Sequence, residues 1–123
     1  MCIRDRDKAL NLLLSSQKKS IYPPRLRAIL VRITFEKFLQ DESYFETLMS
    51  NLTAYETYLK RNRIIVVNKL KAHQNFIKVV RFFARKKFAH EKPENIKAWF
   101  YNFVQKEQLL LAKSWLEQKL AQL

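Results

Sequence analysis

The 123-residue chain contains no glycine, and that absence restricts the available folds more than any motif does. Tight β-hairpins draw on Gly or Asn-Gly at positive φ, and phosphate-cradling loops need glycine so that the backbone can approach the anion. Nucleotide-binding α/β folds and β-sandwiches are both disfavoured on this ground. The three prolines fall at two places, Pro23-Pro24 and Pro93. Both suit helix starts, because proline at the first helical position gives up only an N–H that has no helical acceptor. The chain's punctuation is that of an all-α protein.

Hydrophobic spacing agrees. Asp7 is placed to cap a helix over residues 8–16, where Ala9, Leu10, Leu13 and Leu14 recur at helical intervals, and 17–22 read as a loop. From Pro24, Leu26, Ile29, Leu30, Ile33 and Phe38 mark an apolar face, with Arg25, Arg27, Arg32 and Lys37 largely off it. Ser43 with Glu46 three residues later has the form of a capping box. The helix it opens carries Phe45, Leu48, Leu52, Tyr55 and Leu59 and runs to about Arg61. A polar turn follows, with Asn62 as the left-handed residue in place of glycine.

A fourth helix is expected from Val66 or Val67 to about Lys87, with Leu70, His73, Phe76, Ile77, Val80, Phe83 and Ala84 on one broad face. Pro93 opens a fifth, carrying Ile96, Trp99, Phe100, Phe103 and Val104. The last segment repeats such a face through Ala112, Trp115, Leu116, Leu120 and Leu123, and Trp115 is expected to pack it against the fifth helix. A break is expected near 107–110, since one helix from Pro93 onward would run about 45 Å at ~1.5 Å per residue, longer than the other helices can cover. The expectation is about six helices in three antiparallel hairpins, a helical bundle or a segment of α-solenoid.

Length and composition bound the rest. Hydrophobic residues make up 48% of the chain, so one core is within reach and disorder is not expected despite a net charge of +13. A single domain over 7–123 is the reading, because "MCIRDR" at 1–6 resembles the translated read-through of a sequencing adaptor. The lone Cys2 forms no internal disulfide, which fits a reducing compartment. No apolar run reaches the ~18–20 residues of a membrane span and no signal-peptide core is present, so a cytoplasmic protein without a membrane partner is expected.

Several segments together resemble a known kind of protein. "DKALNLLL", "RAILVRITFEKF" and "YFETLMSNLTAYETYLKRN" resemble a degenerate tetratricopeptide-type repeat followed by the first helix of the next element. "YETYLKRNRII", "NFIKVVR" and "WLEQKLAQL" resemble the C-terminal end of long helical-repeat proteins of Bacteroidetes-type bacteria. The resemblance spans nearly the whole chain after Arg6. It implies a non-catalytic scaffold that binds a protein partner, truncated at its N-terminus, and it supplies no catalytic residues.

The sequence also holds an acid-free run from Thr57 to His90, with Lys60, Arg61, Arg63, Lys69, Lys71, Lys78, Arg81, Arg85, Lys86 and Lys87 in it. The candidate anion or nucleic-acid surface is Lys71, Lys78, Arg81, Arg85, Lys86 and Lys87. The plainer reading is a solvated helix back whose compensating acids lie on a partner or on a missing N-terminal half. The alternative is a nucleic-acid-binding helical module, since residues 58–87 resemble in rhythm the core-binding domains of tyrosine recombinases. No metal, cofactor or enzyme activity is expected. His73 and His90 are isolated, no CxxC or HExxH spacing occurs, and Ser15, Ser16 and Ser114 lack a base at plausible spacing. His73 is expected as a hydrogen-bonded residue at the edge of the core, and Trp99, Phe100 and Phe103 as core with Tyr101 in solvent.

Overall fold

The computed structural model describes residues 24–61 and 65–123. The helix expected over 8–16, the 1–6 start, the 17–22 loop and the Asn62 turn lie outside the described residues. Among the described residues the chain is all-α, with five helices and no strand: α1 Pro24–Gln40, α2 Phe45–Arg61, α3 Val67–Phe88, α4 Pro93–Lys106 and α5 Lys113–Leu120.

Cross-helix pairs give the topology. Between α1 and α2, Phe38 meets Phe45 with ring centroids 5.8 Å apart, Asn51 Nδ2 donates to Thr34 Oγ1 at 3.0 Å, and the Arg27 guanidinium lies 4.6 Å over the Tyr58 ring. Numbers rise on one helix as they fall on the other, so the two are antiparallel. The same holds for α2 and α3, through Phe45–Phe88 and Tyr55–Phe76, and for α3 and α4, through Phe82–Trp99 and Lys78–Phe103. With α2 antiparallel to both, α1 and α3 run parallel and start at the same end of the fold.

The core sits where α1, α2 and α3 face one another, around the buried Phe35, Leu52, Tyr55, Phe76 and Val80. Burying one such side chain stabilises by about 1.5–3 kcal/mol, so this cluster outweighs exposed ion pairs at roughly 0–1 kcal/mol each. The expected stripe on α2 is seen in full at Leu48, Leu52, Tyr55 and Leu59, with Phe45 half-buried. On α1 the face is rotated from expectation. Val31, Thr34, Phe35 and Lys37 are buried, while Leu26 and Ile29 are only partly covered. The cause is that α1 meets neighbours on more than one side, which a single stripe does not describe. Lys37 tolerates burial because its aliphatic stem packs while its Nζ sits 5.4 Å from the Tyr44 ring.

Three further points differ. The Ser43–Glu46 box is not the cap that forms. Asp41, immediately after α1, accepts the Ser43 N–H on Oδ1 at 3.0 Å and opens a 3-10 turn, Glu42–Tyr44, so α2 begins only at Phe45. The bond to Ser43 also holds the Asp41 carboxyl below its ordinary pKa. Trp115 packs edge-on to Phe35 of α1 at 5.6 Å and against Phe76 of α3 at 6.1 Å, not against the preceding helix. The reason is the connection over 107–112, which is longer than expected and carries α5 back across α3. Asn75 Nδ2 donates to the Leu109 carbonyl at 2.8 Å, and the Leu111 N–H to Ala72 O at 3.3 Å, fixing that path.

The turns show how a glycine-free segment reverses direction. After α3, the His90 N–H reaches Lys87 O and the Glu91 N–H reaches Lys86 O, the two bonds of a Schellman stop, with His90 at φ 58 in the usual glycine position. Ala112, at φ 55, makes the second left-handed turn and starts α5.

Candidate functional site

Helical spacing on α3 aligns Lys78, Arg81, Phe82, Arg85 and Lys86 along one stripe, which Ala89, just past the helix, continues. Trp99 of α4 faces that stripe, and together they line a groove of about 640 Å3. Four of the six expected cations therefore come together. Lys71, two turns earlier on α3, and Lys87, on a different side of the helix, do not line it.

Phe82 and Trp99 form the groove's floor. Their rings stack at 3.8 Å and 11°, and Trp99 stacks again on Phe103 at 5.1 Å and 19°. Lys86 Nζ lies 5.6 Å from the Phe82 ring and Lys78 Nζ 5.7 Å from the Phe103 ring. A series of three rings thus carries an ammonium at each end. Such contacts contribute about 0.5–1 kcal/mol each at exposed sites, enough to fix where the charges stand without neutralising them. Expectation and structure agree on buried Phe100 and Phe103 and on exposed Tyr101. Trp99 differs in being half-buried.

The remaining groove cations have different surroundings. Arg81 Nη1 donates to Glu56 Oε2 on α2 at 3.2 Å, with both side chains partly exposed. Arg85 is exposed and has no side-chain ion pair among the described residues. Arg85, Lys86 and Lys87 also occupy the last turn of α3, where positive charge offsets the helix macrodipole, so part of the basic cluster has a structural cause. Among the described residues no carboxylate lines the groove.

Phe82 and Trp99 were not assigned to a site from the sequence. The signal was there: Phe82 lies four residues from both Lys78 and Lys86, so any groove formed by those lysines must have its ring as floor.

His73 is half-buried, its Nδ1 hydrogen-bonded to the Tyr55 hydroxyl and the two rings edge-to-face at 5.7 Å. Burial, with Lys69 nearby, lowers the His73 pKa from its ordinary value, and burial raises that of Tyr55. His90 is exposed in the turn, 4.0 Å from Glu42. Among the described residues no group of three or more His, Cys, Asp or Glu is placed to hold a metal ion, and no helix is long and apolar enough to cross a membrane. Comparison with protein-family models, with curated proteins and with solved structures gives no match.

Proposed function

We propose that the chain is a non-catalytic helical-repeat scaffold for protein–protein interaction, and that the groove between α3 and α4 receives an acidic segment of the partner. The observation that carries this reading is the groove's composition: Lys78, Arg81, Arg85 and Lys86 around a Phe82–Trp99 floor, with no acid in the lining among the described residues. Glu56 on Arg81 is an internal example of what the groove accepts. A partly exposed pair of this kind contributes roughly 0–1 kcal/mol, so a partner carboxylate can take over Arg81 at little cost.

A nucleic acid is the second reading, favoured by the exposed Lys71 and Arg85 within the acid-free run. Single-strand binders present aromatic faces on which bases stack. Here Phe82 and Phe103 are already stacked on Trp99, so part of its ring surface is taken up. Phosphate contacts alone would give binding without sequence preference and with steep salt dependence.

Fluorescence anisotropy separates the two. A labelled peptide alternating Glu with Leu should bind the full chain at ~50 mM salt, and the Lys78→Gln/Arg81→Gln/Arg85→Gln variant should lose about tenfold or more in affinity. Tighter binding of a labelled oligonucleotide, lost in the same variant, would assign the groove to nucleic acid instead.

A further inference from the structure

A second hollow, of about 540 Å3, lies at the opposite end of α3 from the groove, between α3 and α1. That volume falls within the roughly 300–1,000 Å3 of small-molecule sites. One stripe of α1 supplies Arg25, Ala28, Ile29 and Arg32; α3 supplies Lys69, Ala72 and His73; and the connection before α5 closes one side with Leu111 and Ala112. Small side chains at Ala28, Ala72 and Ala112 leave the space, and the walls are chiefly apolar. Three cations stand in the lining and, among the described residues, no carboxylate does. Two of those walls are held in place: Leu111 by its N–H on Ala72 O, and Arg32 by lying 5.3 Å over the Trp115 ring.

The helix ends add to the positive potential of this hollow. Arg25 is in the first turn of α1, Lys69 in the first turn of α3, and Ala112 is the residue from which α5 starts. None of these three helices carries an acidic residue in its first turn, and neither α3 nor α5 has a side-chain cap. By contrast, α2 has Glu46 and α4 has Glu94 in that position. Negative charge is favourable at helix N-termini, so the three helices that border the hollow are those whose own sequence leaves that charge unsupplied.

We propose that this hollow binds a small amphipathic carboxylate, its apolar body against Ala28, Ile29, Ala72 and Leu111 and its head group among Arg25, Arg32 and Lys69. An apolar wall alone would take any hydrophobic molecule. The cations select the charged one, and arginine's planar fork matches a carboxylate in two-pronged fashion.

Calorimetric titration of the full chain with decanoate, below its micelle concentration, tests this. Saturable binding of one decanoate per chain is expected, with decanol and acetate each weaker by about tenfold or more, since each lacks one half of the recognised chemistry. Arg25→Gln/Lys69→Gln changes partly or fully exposed positions and should weaken decanoate about tenfold. Ala72→Leu should abolish binding by filling the space. If Ala72→Leu fails to fold, as judged by its thermal melt, the double glutamine variant still decides. Equal binding of decanol and decanoate, unchanged affinity in the glutamine variant, or attachment only to phosphatidylglycerol vesicles would each overturn the proposal.

Discussion

Lys119 Nζ and Glu36 Oε1 meet at 3.0 Å, joining α5 to α1 across 83 residues of sequence, with side chains only 9% and 19% exposed. Lys119 also sits 5.7 Å from the Trp115 ring, so the charge, the ring and the helix contact form one unit. Removing one member of a covered pair leaves the other desolvated and unpaired, which costs more than the pair contributes. Glu36→Leu should therefore destabilise by about 2 kcal/mol, and Glu36→Leu/Lys119→Met should cost less than Glu36→Leu and Lys119→Met added together. Urea unfolding of the four proteins measures this as a double-mutant cycle; strict additivity would show that the pair does not couple the helices.

Stability should fall at both ends of the pH scale for reasons that lie in one contact. His73 binds a proton more weakly in the folded chain than at its ordinary pKa of 6.5, because it is partly buried and near Lys69. Below that pH the unfolded chain takes up more protons, so stability is lost as pH falls through 6.5 and the loss levels off once the folded form also titrates. Tyr55, raised from 10.0 by burial, acts in the opposite sense. The unfolded chain releases its proton first, so stability present below pH 10.0 declines as pH rises past it. Chemical denaturation across pH should show the acid-side loss shrink in His73→Gln and the alkaline-side loss shrink in Tyr55→Phe.

Ala112 carries the cost of the missing glycine. At φ 55 its Cβ crowds the backbone, a strain of about 1–2 kcal/mol in the left-handed region. Ala112→Gly removes that strain but adds freedom to the unfolded chain, leaving a net gain of about 0.5–1 kcal/mol. Ala112→Val, branched at Cβ, should lose more than about 1 kcal/mol. Thermal melts of both variants give the sign directly. A destabilised glycine variant would mean that the methyl group's packing outweighs its strain.

Much of the helical order was legible in advance because the cues were local. The proline at the start of α4, the three-and-four spacing of Leu48, Leu52, Tyr55 and Leu59, and the end of α3 near Lys87 all depend on residues within a turn or two of one another. The cap at Asp41 was missed for the opposite reason: two acceptors competed for one helix start, and the nearer chain reversal decided between them. Of the candidate surface, Lys78, Arg81, Arg85 and Lys86 could be grouped from spacing alone. Phe82 shares that spacing, but Trp99, the other half of the aromatic floor, could not be grouped with them, since it belongs to another helix.

By itself the sequence determined that the chain is all-α, where four of its helices begin or end, and which face of α2 and α3 is apolar, because periodicity and proline act within one helix. Only the tertiary structure decided that α5 returns to α1 and α3, that Lys37 and Lys119 are covered, and that the cations of α1 and α3 line a common hollow. Those outcomes depend on which helices meet. A contact between Glu36 and Lys119 has no signature in either segment, because each residue's free energy is set by a neighbour that arrives only when the chain has folded.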